Sequence, residues 1–137
     1  MPDIMKKPSS QPHRHAGPPG AELDAEAARV AALEALALLD TAPEPEFDQL
    51  TQLAADIFEV PMVAVSLVAR TRQWFKSSVG LEVCETEREI SFCTHTIGRN
   101  ELLVVADARK DPRFAENPLV AGSPGIRFYA GAPLRPD

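Results

Sequence analysis

The feature that most restricts this chain is a change of hydrophobic period at residue 62. Met62 to Val68 reads MVAVSLV, almost wholly apolar and rich in β-branched residues, the pattern of a strand covered on both faces. Arg70 and Thr71 interrupt it. Arg72 to Val79 (RQWFKSSV) then alternates, with Gln73, Phe75, Ser77 and Val79 on one face and Trp74, Lys76 and Ser78 on the other. Two strands this close in sequence predict an antiparallel hairpin.

Helical patterns precede the hairpin. Glu22 to Leu39 is rich in Ala, Leu and Glu and free of Gly and Pro, which favours helix. Val30, Leu33 and Ala37 fall on one stripe, widened by Leu36, Leu38 and Leu39. The stripe suits either packing against a second copy in a dimer or covering the domain's own sheet. Asp40 to Glu44 breaks this helix and offers a capping box, Thr41 with Glu44. The next helix carries Phe47, Leu50, Ala54 and Ile57 on one stripe and has to stop before Pro61.

After the hairpin the elements are short. Gly80 to Glu87 reads as loop, Ser91 as the cap of a helix ending near Gly98 or Asn100, and Leu102 to Ala106 as a strand. Asp111-Pro112 opens a helical turn, Ser123-Pro124-Gly125 is a turn, and Ile126 to Ala132 is a further strand. The fold class is α+β: an antiparallel sheet with helices packed on it. Five of the 13 prolines lie in the first 20 residues, so residues 1–21 read as a disordered tail. Residues 22–40 read as a linker or signalling helix, and 41–137 as one domain.

Charge and composition exclude several function classes. The net charge of −6 opposes nucleic-acid binding, which calls for clustered Lys and Arg. No apolar run is long enough to span a membrane. Lys6 and Lys7 have no apolar segment behind them, so the N-terminus is not a secretory signal. Two cysteines do not make a disulfide framework, and a reduced cytoplasmic setting is expected.

Cys93 and His95, with Cys84 nearby, raise the question of a metal. On a helix they point roughly 200° apart and cannot share an ion, and the same angle disfavours a Cys–His nucleophile pair. Cys93 falls on a stripe with Ile90 and Ile97 and reads as a small buried hydrophobe. Asp111 is explained as a cap and Asp107 as an Asx-turn residue. Arg127 is suited either to an anionic ligand or, as the favoured reading, to pairing with Asp107 or Asp111. There is no glycine-rich phosphate loop, GxSxG, HExxH, kinase or GGDEF-type signature. No catalytic residue is expected.

The blocks LDTAPEPEFDQLTQLAADIFEVPMVAVSLV, RQWFKSSVGL, SFCTHTI, DARKDPRF, NPLV and GSPGIRFYAGAPL resemble the GAF family, in its bacterial form preceding histidine kinases and diguanylate cyclases. They span residues 38–134. The chain departs from that pattern at Ala69, where members usually carry Asp. It also ends at Arg135-Pro136-Asp137, where the family continues with a further strand and a closing helix. The expectation is therefore a GAF domain incomplete at its C-terminus, with Ile126–Ala132 left unpaired on one edge.

The resemblance implies a sensory domain that binds a small molecule between the sheet and segment 88–120 and controls a downstream kinase or cyclase. Candidate ligand contacts are Trp74, Lys76, Phe92, His95, Asp107, Arg113, Arg127 and Tyr129. For His95, a capping or core role is equally open. Neither ligand nor cofactor is identified by these residues: cyclic nucleotides, bilins, haem, amino acids and no ligand at all stay open. Two further readings are a ligand-free dimerisation module working through helix 22–39, and a thiol enzyme of the methionine sulfoxide reductase type using Cys84 and Cys93.

Overall fold

The computed structural model describes residues 19–135. The reading of a disordered tail thus falls, for residues 1–18, outside the described residues; Pro19 to Ala21 already belong to the first helix. That helix, α1 (Pro19–Ala35), ends earlier than the composition suggests. The Leu36 and Ala37 amides bond back to the Leu33 and Glu34 carbonyls, and Ala37 turns left-handed at φ 53°. Glu26, Arg29, Val30 and Leu33 form its sheltered stripe, Val30 being buried and the others half-buried, at the i, i+3, i+4, i+7 spacing of one helix face. Arg29 Nη1 reaches the Val68 carbonyl at 2.6 Å. The helix docks on its own domain.

The second helix, α2 (Pro45–Phe58), starts at a proline, as a first-turn position allows. The predicted capping box does not form: Glu44 precedes the helix without a side-chain cap, because Thr41 and Glu44 both bind Lys76 instead. The helix closes on Glu59 in the left-handed conformation, φ 51°, before Pro61 as expected. Its orientation departs from the stripe read in the sequence. Thr51 and Ala55 are the buried residues, while Leu50, Leu53, Ile57 and Phe58 are exposed. The inward face is held by polar groups. The Thr51 and Ser77 hydroxyls lie 2.8 Å apart, and Ser77 donates to Asp48 at 2.6 Å.

The hairpin is present: β1 (Val63–Val68) pairs antiparallel with β2 (Arg72–Val79). Its register slips between Val65 and Ser66, where Val65 opposes Ser77 and Ser66 opposes Phe75, so Lys76 is the extra residue of a β-bulge. This breaks the simple alternation, and the adjacent residues Lys76 and Ser77 are both buried. Gly80 closes the far end of the hairpin at φ 75°, where a Cβ would stand 1.9 Å from the Pro61 carbonyl oxygen. Only glycine fits there.

Residues 80–87, read as loop, contain a third short strand, β3 (Glu85–Glu87), paired with β2. Its Thr86 hydroxyl accepts from Gln73 Nε2 at 3.1 Å. After a 3-10 turn over Arg88–Ile90 comes α3 (Cys93–Ile97), ended by Gly98. The Ser91 hydroxyl accepts from the Thr94 amide at 3.3 Å, which is the capping bond foreseen for it. Then follow β4 (Leu103–Val105), a 3-10 turn at Ala108–Lys110, a four-residue helix α4 (Pro118–Ala121) and β5 (Tyr129–Gly131). The α4 turn, capped by Asn117, was not foreseen.

The fold is α+β, with antiparallel sheets and helices packed on them. The described residues contain two sheets rather than one: β1-β2-β3 and β4-β5. Of the predicted last strand only Tyr129–Gly131 is paired, and β4 is its single neighbour among the described residues. The main hydrophobic cluster lies in the second half, where Phe92, Leu103, Val105, Ala108, Phe114 and Val120 pack together, flanked by Leu119, Ile126 and Tyr129, while Val30, Ala55, Val65 and Val68 are buried in the first. A chain of side-chain bonds joins the halves: Ser91 donates to Gln73 Oε1 at 2.9 Å, across from Thr86.

Candidate functional site

Where the β1–β2 turn meets the 3-10 turn and α3, the surface opens into a cleft of about 600 Å³ lined by Arg70, Thr71, Glu87, Arg88, Glu89, Thr94 and His95. The hairpin supplies Arg70 and Thr71, the end of β3 and the turn after it supply Glu87, Arg88 and Glu89, and α3 supplies Thr94 and His95. Ser91 sets the start of α3 and so the position of these last two. The Thr94 hydroxyl donates to the Arg88 carbonyl at 3.1 Å, holding helix and turn together. Arg88 is anchored in the wall. Its amide donates to the Thr71 carbonyl at 3.2 Å, and its Nη1 donates to the Ala69 and Arg70 carbonyls at 3.2 and 3.3 Å.

Arg88 also forms an ion pair with Glu26 of α1. Glu26 accepts in addition from both Nε and Nη2 of Arg29, at 2.9 and 2.8 Å. The Arg29 bonds, then those of Arg88, hold the Glu26 carboxyl down at about 2 against an ordinary 4.5. By contrast, among the described residues the side chains of Arg70, Glu87, Glu89 and His95 take no hydrogen-bond partner. The cleft therefore offers one uncommitted guanidinium, one committed guanidinium, an imidazole, two hydroxyls and two carboxylates.

Behind this wall lies an aromatic cluster. Phe92 stacks on Phe114 at 4.2 Å between ring centroids, Tyr129 tilts against Phe92 at 5.0 Å, and His95 meets Phe114 edge-on at 4.9 Å. The Tyr129 hydroxyl lies 2.8 Å from that of Thr96 and donates to Cys93 Sγ at 3.4 Å. Burial, then the neighbouring Cys93, pushes the Tyr129 phenol well above its usual range. Gly131 makes room for that hydroxyl, since a Cβ there would fall 2.2 Å from it.

The eight predicted contacts are thus split among several places. Phe92, His95 and Arg113 gather around Phe114, with the Arg113 guanidinium 5.1 Å over its ring, and Tyr129 packs on Phe92. Only His95 of the eight lines the cleft. Trp74 is half-buried on β2 between Leu67 and Glu85. Lys76 is fully buried under the start of α2, bonded to Thr41 Oγ1 and the Ala42 carbonyl at 2.7 Å each and paired with Glu44 at 2.6 Å.

Asp107 borders a second, more open depression of about 410 Å³. It caps the turn after it through the Arg109 amide and binds the Arg109 guanidinium, which brings its carboxyl to about 2. Asp111 does the same with Arg113. Among the described residues Arg127 therefore meets no carboxylate: its Nη1 donates to the Val120 and Ile126 carbonyls at 2.9 and 3.2 Å. The favoured Arg127–Asp pairing is replaced by two local Asp–Arg pairs, each two residues apart and so formed at lower entropic cost.

Cys84 is exposed and Cys93 half-buried, and both are free thiols. The sequence reading missed Arg70, Thr71, Glu87, Arg88, Glu89 and Thr94. The signal lay in Glu85-Thr86-Glu87-Arg88-Glu89, a single arginine inside an acidic run, whose first three residues read as loop and whose last two carry no helix or strand pattern.

Comparison with known proteins adds two findings. The family described as GAF domain matches residues 42–137. The cyclic di-GMP phosphodiesterase PA2567 of Pseudomonas aeruginosa is 42% identical over 109 residues, a match covering 80% of this chain and 19% of that protein. The chain spans about a fifth of the length of this curated relative.

Proposed function

The chain belongs to the GAF domain family, and from that premise we propose that it is a regulatory module of a bacterial signalling protein. In this reading it binds a small cytoplasmic molecule and controls an effector encoded elsewhere in the same protein. It performs no chemistry of its own. The observation that carries the reading is the cleft of about 600 Å³ at the junction of hairpin, turn and α3, which has the size of small-ligand sites and converging polar groups. The relative's name favours an effector acting on cyclic di-GMP over a histidine kinase.

Native mass spectrometry of the purified chain, before and after addition of a metabolite extract, tests this. A small molecule is expected to stay bound to the wild type and to be lost in His95→Ala and in Arg70→Ala. Retention of the same mass in both variants places the ligand elsewhere. No bound mass, together with no titratable metabolite below about 1 mM, removes the sensory reading and leaves the ligand-free module.

A further inference from the structure

We propose that the cleft takes an oxyanion, the phosphate or carboxylate of a small molecule, and that Arg88 reports its presence by exchanging Glu26 for that anion. The proposal rests on the ligand-binding reading of the same cleft and adds the ligand's chemistry and the route of the response.

Arg88 occupies two places at once. It lines the cleft, and it is the side chain that stitches α1 to the wall of the cleft through Glu26. The acceptors it holds, Glu26 and the Ala69 and Arg70 carbonyls, all converge on Nη1. Its Nε and Nη2 have no acceptor among the described residues. An arginine offers a planar fork that meets an oxyanion through two nitrogens. An oxyanion that spans both terminal nitrogens takes Nη1 from Glu26, whereas one held on the Nε–Nη2 edge alone leaves the ion pair in place, and the two are told apart by the hydrogen exchange of α1.

The neighbouring groups support such an exchange. Arg70, on the same rim, is uncommitted and supplies a second cation. The Thr71 side chain and the imidazole of His95 line the same cleft. Glu26 is not stranded when Arg88 leaves, because Arg29 continues to hold both of its oxygens. One ion pair is replaced by another, so the exchange leaves neither Arg88 nor Glu26 without a partner, and the ligand shifts the balance by as much as it prefers the exchanged arrangement. Glu87 and Glu89 also line the cleft. They weaken the hold on a bare anion without abolishing it, and they add selectivity for a ligand whose anion is accompanied by a cationic or hydrogen-bond-donating group.

The probe is inorganic phosphate, titrated into the chain and followed by NMR at the Arg70, Thr94 and His95 amides, with hydrogen exchange read over residues 22–35. Saturable shifts and faster exchange in α1 are expected for the wild type. Glu26→Gln, which removes the competing charge but keeps a side chain for Arg29, is expected to bind phosphate about three- to tenfold tighter. Its α1 exchange should be raised already and respond no further. Arg70→Ala should weaken binding without raising basal exchange in α1, which separates ligand contact from helix docking. Equal or weaker binding by Glu26→Gln overturns the exchange. Saturation with unchanged α1 exchange also overturns it, while leaving the cleft as a ligand site. No phosphate binding by either protein overturns the oxyanion assignment, and the mass-spectrometric test of a neutral ligand still stands.

Discussion

A lysine with no solvent exposure needs an acceptor for each of its three N–H donors, and Lys76 has three: Thr41 Oγ1, the Ala42 carbonyl and Glu44. Its ammonium also stands 5.6 Å over the Phe47 ring, an arrangement that favours a cation. Lys76→Met keeps most of the stem and removes the ammonium, so it forfeits three hydrogen bonds worth about 1 kcal/mol each. Urea unfolding should show a loss of about 2–3 kcal/mol, part of the deficit being recovered by the apolar side chain. Glu44→Gln should cost less than half as much, because that carboxylate is 46% exposed and its pair is partly screened by water. Equal stability of Lys76→Met and wild type would show that the tether contributes nothing.

Among the elements, α2 is the one whose faces run against expectation. Its packed side is anchored by polar groups, Thr51 and Asp48 bonding Ser77 of β2, and Leu53 and Ile57 stand 55% and 64% exposed. Leu53→Gln and Ile57→Gln should therefore change stability by no more than about 0.5 kcal/mol. Thr51→Val, which deprives the buried Ser77 hydroxyl of a partner, should cost about 1–2 kcal/mol. A Leu53→Gln cost as large as that of Thr51→Val would mean the outward stripe is covered in the folded chain.

This helix also shows how far the sequence could be read. Hydrophobic period placed α2, the hairpin and α3 correctly, because each is long enough, or capped clearly enough, for a local rule to act. Period could not orient α2, since the bulge at Lys76 turns two successive side chains inward. A bulge is a property of the pairing, not of either strand. The same limit explains the missed β3, three residues long, and the cleft. Arg70, Arg88 and His95 come together only when hairpin, turn and helix have packed.

Across the whole molecule, depressed carboxylates sit against guanidinium groups: Glu26 and Asp40 tie distant segments together through Arg88 and Arg72, and Asp107 and Asp111 brace the loop beyond β4 through Arg109 and Arg113. Glu26, Asp107 and Asp111 lie at about 2 in the folded chain, and Asp40 is lowered by Arg72. A carboxylate lowered on folding stabilises the fold above its unfolded value, and that stabilisation is lost as pH falls through the folded one. Urea midpoints should therefore be level from neutral pH to about 5, then fall between about 4.5 and 2. The fall should be shallower in high salt, since these groups are largely exposed. A midpoint unchanged across that acid range would contradict a stabilising role for these ion pairs.

The separation of the two sheets carries a further consequence, for the order in which the chain folds. The β1–β2 ladder closes only over residues 69–71, whereas the β4–β5 ladder has to bring its strands together across residues 106–128. Short loops lose less entropy on closing and form sooner. The hairpin and the neighbouring α2 are thus placed to serve as the early scaffold. The aromatic core and the α3 wall of the cleft complete themselves against it, so the cleft is among the last features of the domain to exist.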